Sequence, residues 1–104
     1  MIDNDKEFKD EKMKEPQVVI TVSGEDKVGI VARFANVLAE CSVNIEDIKQ
    51  TIMQDHFVMF VIGDLSQSKC TFQETKDKLL KAGEELGMEV WVQRKAIFDK
   101  MHNI

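Results

Sequence analysis

The chain reads Ser-Gly-Glu-Asp-Lys-Val-Gly-Ile-Val at residues 23–31, and this stretch joins a strand pattern to a helix pattern. Before it, apolar residues recur at every second position, at Val18, Ile20 and Val22. After it, they recur at the spacing of one helix face, from Val31 to Leu38. A strand that turns on a glycine into a helix presents unpaired backbone N–H groups, which favour a carboxylate or another small anion. The stretch therefore predicts a turn that holds a small molecule, and no reactive group accompanies it.

The helix pattern after this turn spans Val28 to Ser42 and is followed by a second strand pattern. That strand runs from about Asn44 to Gln54. Within it, Ile45 is out of phase with Ile48 and the alternate positions that follow. A bulge or a bend near Glu46-Asp47 would reconcile the two phases, so we predict one of them there.

The second half of the chain repeats the change from strand to helix. A polar break at residues 54–56 predicts a hairpin, and the third strand runs from Phe57 to Ile62. Thr71 and Glu74 have the spacing of a capping box, which predicts the start of a second helix. Gly87 is typical of the residue that ends such a helix.

With a last strand at Met88 to Lys95, the predicted order is β-α-β-β-α-β. This order predicts an α+β, ferredoxin-like fold, in which a four-stranded antiparallel sheet carries both helices on one face. The other face is left uncovered, and such an apolar patch usually marks an interface. Its apolar groups come from three positions: Trp91, either Phe57 or Phe60, and either Met59 or Val58. Ile97, Met101 and Ile104 are spaced as a closing helical turn that docks on the body.

Composition and charge exclude several classes of protein. A length of 104 residues predicts one domain, which often gains stability from oligomerisation. A formal net charge of −5 argues against a nucleic-acid backbone or an anionic membrane as the partner. No apolar run approaches the roughly 20 residues of a spanning helix, and the charged N-terminus shows no secretion signal. We therefore expect a cytoplasmic protein.

The first residues differ in composition from the rest of the chain. Residues 1–16 are rich in lysines and acids, have few apolar side chains and end at the only proline, Pro16. This composition predicts a flexible charged extension before a domain at residues 17–104.

The two cysteines, Cys41 and Cys70, lie far apart in the sequence without a CxxC spacing or a nearby histidine. This pattern favours two reduced thiols in a cytosolic protein, and it leaves a disulfide or a metal site as the less favoured alternatives.

Three segments together resemble the ACT domain. They are V-I-T-V-S-G-E-D-K-V-G-I-V-A, L-A-E-C-S-V-N-I-E-D-I-K-Q and F-V-M-F-V-I, in the matching order of elements. The closing A-I-F-D-K-M-H-N-I resembles the C-terminus of a family of stand-alone single-ACT proteins of bacteria and archaea. The resemblance covers about Gln17 to Ile104.

The resemblance implies a regulatory module that binds an amino acid or a similar small molecule where two domains meet side by side. The family's turn glycine corresponds to Gly29, flanked by Asp26, Lys27, Val28 and Ile30. The start of the second strand completes the pocket across the interface and corresponds to Asn44 and Ile45. Ligand contacts in the family come largely from the main chain, so these side chains constrain the ligand weakly.

Several of these residues also have a plain structural explanation. Asp26 is suited to be the N-cap of the first helix, and that role is favoured over ligand contact. Gly29 is explained equally well by close packing against the sheet and by clearance for a ligand. Asn44 is a common turn residue that tolerates a left-handed conformation. His56 and His102 have no paired acid or cysteine and are expected at the surface.

Enzymes and RNA-binding proteins that share this strand order are less favoured. An acylphosphatase-like enzyme needs an arginine in the loop after the first strand, whereas Arg33 lies a full turn into the helix. An RNA-recognition module stacks bases on aromatic residues of one sheet face, but Phe57 and Phe60 point to opposite faces. We expect no catalytic residues, no metal and no cofactor.

We therefore predict a homodimeric regulatory module whose ligand, an amino acid, is held at the subunit junction by backbone amides near Gly29. The regulated protein is not identified by the sequence. The alternative is an interaction module that binds no ligand and assembles through its sheet and sheet edges.

Overall fold

The computed structural model describes residues 16–101. This part of the chain forms β1 (Gln17–Glu25), α1 (Ile30–Glu40), β2 (Asn44–Met53), β3 (His56–Asp64), α2 (Phe72–Leu86), β4 (Glu89–Arg94) and α3 (Lys95–Met101). The order β-α-β-β-α-β is confirmed, with a short helix added after β4. Between residues 16 and 101, no helix is long and apolar enough to cross a membrane. The predicted extension, apart from Pro16, lies outside the described residues, as do His102 and Ile104.

The four strands form one antiparallel sheet in the order β2-β3-β1-β4. The predicted ferredoxin-like class is thereby confirmed. β1 pairs with β3 on one side and β4 on the other, so β2 is an edge strand. All ten residues of β2 are exposed to solvent.

The core lies between the sheet and the pair α1 and α2. Val18, Ile20 and Val22 of β1 are almost completely buried there, as the alternating pattern predicts. Phe34 and Leu38 enter this core from α1, and Leu79 enters it from α2. Burial of these large side chains is the main source of stability for a domain of this size.

α2 approaches β4 so closely that a glycine is required at position 83. A Cβ atom on Gly83 would lie 2.4 Å from Val90 Cγ2 and 3.0 Å from the Met88 carbonyl oxygen. Since the second atom belongs to the backbone, the clash is not relieved by a change of rotamer alone.

The predicted bulge in β2 is confirmed. The register of β2 on β3 shifts between Ile45 and Asp47, so that Ile45 lies opposite Gly63 and Ile48 lies opposite Val61. The extra residue, Glu46, brings both isoleucines onto the face of the sheet that carries the helices. They remain exposed there, because β2 extends beyond the area that the helices cover.

Both ends of α2 are as the sequence predicts. The Thr71 side chain accepts a hydrogen bond from the Glu74 N–H at 3.0 Å, and the Glu74 carboxylate accepts one from the Thr71 N–H at 2.9 Å. This is a complete capping box. Gly87 ends the helix in the left-handed conformation, with φ 69°.

α1 ends without a glycine. Ser42 takes the left-handed conformation, with φ 58°, and its N–H donates to the Ala39 carbonyl. The Val43 N–H donates to the Leu38 carbonyl at 2.9 Å, and the two bonds form a Schellman motif. The chain is thereby turned directly from α1 into β2.

The face of the sheet opposite α1 and α2 is only partly open. Phe60, Val58 and Trp91 lie on it, whereas Phe57 and Met59 lie in the core, which decides between the alternatives left by the sequence. Trp91 is 50% exposed.

The prediction that this face is wholly uncovered is wrong, because α3 packs across β1 and β4. Val19 lies under it and is buried to 3% exposure. Phe98 lines a cleft with Val19, whereas Ile97 and Met101, which the spacing assigned to docking, remain exposed.

Candidate functional site

Gly29 is the residue at which the chain turns from the β1 side into α1. It is the N-cap of α1 and has φ 90°, a left-handed conformation that glycine adopts without a steric penalty. A Cβ atom at this position would meet no atom within 4 Å. Close packing against the sheet is therefore the wrong explanation for this glycine. The left-handed backbone conformation at position 29 favours a glycine, and the space beside this residue is open.

Asp26 does not cap the helix, so the favoured structural explanation for this residue is wrong. α1 has no side-chain cap, and the Asp26 N–H donates to the Asp55 carbonyl at 2.9 Å. That bond fastens the turn to the β2–β3 hairpin. Because no side-chain oxygen caps α1, the N–H groups of its first turn are not occupied by a side chain of the described residues.

The Lys27 side chain forms a hydrogen bond with the C-terminus of α2. Its ammonium group donates to the Leu86 carbonyl at 2.8 Å, at the C-terminus of α2. A cation is favoured there, because the last carbonyls of a helix carry partial negative charge. Lys27 thus ties the turn to the end of α2.

The two apolar residues beside Gly29 have opposite environments. Val28 is fully exposed, whereas Ile30 is buried in the core. Ile30 can therefore contribute only its main-chain N–H to a site at this turn. Val28 is therefore the apolar side chain of this turn that faces solvent.

Asn44 and Ile45 lie at the opposite end of the sheet from this turn. Asn44 is opposite Asp64, which is in turn opposite Gln17 at the start of β1. The turn follows the end of β1, where Glu25 is opposite His56. With about 3.3 Å of rise per residue, the two groups are separated by roughly the length of β1, about 25 Å. One copy of the chain therefore does not bring them together.

The end of β1 and the β2–β3 hairpin line a concavity of about 470 Å³. It is lined by Gly24, Glu25, Met53, Gln54, Asp55 and His56. His56 is exposed, as expected, and its Nε2 lies 2.9 Å from the Ser23 hydroxyl.

A serine beside a histidine is the first requirement of nucleophilic catalysis, but the other requirements are missing in the described part. No described residue forms a hydrogen bond with His56 Nδ1, and both side chains lie at the surface. Residues 16–101 also contain no cluster of three or more His, Cys, Asp or Glu side chains able to hold a metal ion.

Sequence reasoning missed the bond between Asp26 and Asp55 and the bond between Lys27 and Leu86. Both join residues that are far apart in the sequence, and neither residue pair carries a local pattern. The sequence signals at this turn, a glycine and an acid before a helix, identify the place but not these partners.

The sequence model of the ACT domain matches residues 16–93. A UPF0237 protein of the archaeon Methanocaldococcus jannaschii is 50% identical over 88 residues, covering 85% of this chain and 98% of that protein. A UPF0237 protein of the bacterium Listeria innocua is 46% identical over 88 residues, covering 85% and 99%.

A solved structure, an ACT domain protein from Streptococcus pneumoniae, superposes with a TM-score of 0.69 at 35% identity. The superposition covers 80% of this chain and 93% of that chain. Sequence and structure comparisons therefore agree on one family.

Proposed function

The chain belongs to the ACT domain family, and from this we propose that it is a regulatory module that binds an amino acid as a homodimer. ACT domains are regulatory, ligand-binding modules. The ligand of this chain would lie at the junction of two copies, with the turn Asp26, Lys27, Val28, Gly29 and Ile30 on one side. Asn44 and Ile45 of the second copy would lie on the other side.

The open helix N-terminus at Gly29 is the observation that carries the ligand part of the proposal. The first-turn amides of α1 have no side-chain cap, and position 29 has free space around it. Backbone N–H groups at a helix N-terminus stabilise a carboxylate through hydrogen bonds and the helix dipole. An amino acid would place its carboxylate there without displacing a protein side chain.

The edge strand β2 supports the homodimer. It is ten residues long, exposed at every position and free of proline, and such an edge readily pairs with another strand. Ile48 and Ile52 are exposed on its helix-side face, and Val31 of α1 is exposed as well. Pairing of two such edges would bury these apolar groups.

Antiparallel pairing of two β2 strands would also unite the two halves of the site. The start of one β2, at Asn44, would then lie beside the end of the other, at Met53. The end of β2 leads into the hairpin that contains Asp55. The Asp55 carbonyl accepts the hydrogen bond from Asp26 that holds the turn. Asn44 and Ile45 would therefore approach the second copy's turn, although they are remote from their own.

The proposed mechanism is linkage between ligand binding and assembly. A ligand that contacts both copies binds the dimer and not the single chain, so it stabilises one arrangement over the other. A partner protein would respond to that arrangement.

A thermal-shift screen of the standard amino acids tests the proposal. A true ligand raises the melting temperature with increasing concentration, by the equivalent of about 2.7 kcal/mol at a hundred times Kd. Absence of a shift with every amino acid would contradict the amino-acid proposal.

The second candidate function is an interaction module without a ligand. The observation in its favour is the exposed apolar surface formed by Trp91, Phe60 and Ile97, which is separate from the Gly29 turn. Assembly through this surface would be insensitive to amino acids, so the same screen separates the two functions.

A further inference from the structure

The fold brings together the two cysteines that the sequence keeps apart. Cys41 is the C-cap of α1, and Cys70 lies immediately before Thr71, the N-cap of α2. Cys41 is fully buried in the core, and Cys70 packs against the same core while remaining partly exposed.

Hydrogen bonds hold the two backbones in this position. The Lys69 N–H donates to the Cys41 carbonyl at 2.8 Å. The Ser68 hydroxyl lies 2.9 Å from the same carbonyl oxygen and 2.8 Å from that of Cys70, and it accepts from the Cys70 N–H at 3.0 Å. Ser68 therefore bridges the two cysteines through their main chains.

The two thiols are also near enough to influence each other, since the Cys70 thiol contributes to the raised pKa of Cys41. A disulfide requires two cysteines whose backbones and side chains already lie close, because distortion of its geometry is unfavourable. Here the end of one helix and the residue before another hold the two backbones close together.

We propose that Cys41 and Cys70 are an oxidation site that forms an intramolecular disulfide by exchange with a low-molecular-weight disulfide. The bond joins the C-terminus of α1 covalently to the N-terminus of α2. One end of it, Cys41, lies three residues before Asn44, where the edge strand β2 begins. In a cytosolic protein such a bond is transient and serves regulation rather than basal stability.

The reaction has two exchange steps. The Cys70 thiolate, which solvent can reach, attacks one sulfur of the small disulfide and releases one small thiolate, which takes up the Cys70 proton from water. The Cys41 thiolate then attacks the Cys70 sulfur of the mixed disulfide and releases the second thiolate, which takes up the Cys41 proton. The protein loses two electrons and two protons, and the small disulfide is reduced to two thiols.

The surroundings of Cys41 make the second step slow at neutral pH. Burial first, and then the neighbouring Cys70 thiol, raise the pKa of Cys41 to about 11. The Thr75 hydroxyl and the Lys78 ammonium, both on α2, act in the opposite direction and do not offset burial. Since only the thiolate attacks, the rate of the second step rises about tenfold per pH unit between pH 7 and 10.

The test is incubation of the folded protein with oxidised glutathione, followed by intact-mass measurement and peptide mapping without reduction. The expected product has lost about 2 Da and contains Cys41 cross-linked to Cys70. A glutathione adduct that persists on Cys70, a disulfide between two chains, or retention of both thiols would each overturn the proposal.

Matched variants and an unfolded control test whether the disulfide forms because the fold places the two thiols together, or only because the chain contains two cysteines. Cys70→Ser is expected to retain a free Cys41, and Cys41→Ala to stop at the glutathione adduct on Cys70. In concentrated urea the same chain is expected to form the bond with an equilibrium constant at least tenfold lower. An equal constant in the folded and unfolded chains would contradict a preformed pair, and this comparison requires no variant to fold.

Discussion

At the scale of single residues, the turn after β1 is determined by one backbone angle. Gly29 has φ 90° and an empty surrounding, so its identity follows from conformation rather than from packing. The sequence indicates a helix start here, but it favours Asp26 as the cap because aspartate is a common N-cap residue. The Asp26 N–H instead donates to the Asp55 carbonyl in the hairpin, a bond that no local pattern reveals.

Substitutions at Gly29 test the ligand site at this scale. Any residue with a Cβ atom is strained at φ 90°, and the expected destabilisation is about 1 kcal/mol. Gly29→Asp adds a negative charge beside the first-turn amides as well, so we expect it to abolish binding of the amino acid found in the screen.

Gly29→Asn is the matched control for this experiment. Asparagine has nearly the same shape, is neutral and tolerates the left-handed conformation. We expect it to bind more tightly than Gly29→Asp by at least tenfold in titration calorimetry, with both variants folded by circular dichroism. Equal affinity of the two variants would show that no anion is held at this turn.

The proximity of the two cysteines, in contrast, could not be predicted from the sequence. Their spacing in sequence favours separate reduced thiols, and each is indeed a free thiol in the structure. Their backbones come close because α1 ends where the loop before α2 passes, held by Ser68 and Lys69. Tertiary placement of this kind cannot be derived from spacing.

At the scale of elements, the strands and helices follow local chemistry closely. The capping box of Thr71 and Glu74 and the ending glycine, Gly87, were predictable because each acts within a few residues of its own helix end. The bulge at Glu46 was predictable because the apolar phase of β2 changes there. The orientation of α3 was not predictable from the sequence. Ile97, Phe98 and Met101 give this helix of seven residues more than one apolar face.

The exposed edge strand gives a prediction about assembly. Ile52→Lys places a charge on the helix-side face of β2, where the wild-type side chain is 56% exposed in a single copy. If β2 forms the interface, that charge becomes buried in the dimer without a partner, so we expect a dimer at least tenfold weaker by sedimentation velocity.

Trp91→Lys is the control for the edge strand. Trp91 is 50% exposed and lies on the opposite face of the sheet, on β4. Because both positions are similarly exposed in one copy, either lysine should leave the fold intact. Weakening of the dimer by the Trp91 variant and not by the Ile52 variant would move the interface to the open face of the sheet.

At the scale of the whole molecule, the two parts of the proposed site lie apart in one chain. The turn at Gly29 and the start of β2 at Asn44 lie at opposite ends of the sheet, as the strand register requires. The family resemblance implies both halves from the sequence, and the register shows that one chain keeps them apart. We therefore propose that a second copy supplies one of them. Regulation by assembly is proposed on this basis, since a ligand that bridged the halves would also join the copies.

The most direct test of this account measures the dimer dissociation constant by sedimentation velocity, with and without the amino acid that raises the melting temperature. If the ligand bridges the Gly29 turn of one copy and the Asn44 strand of the other, saturating ligand lowers the dissociation constant by at least tenfold. A ligand that binds while the dissociation constant stays unchanged would contradict a site shared between two copies.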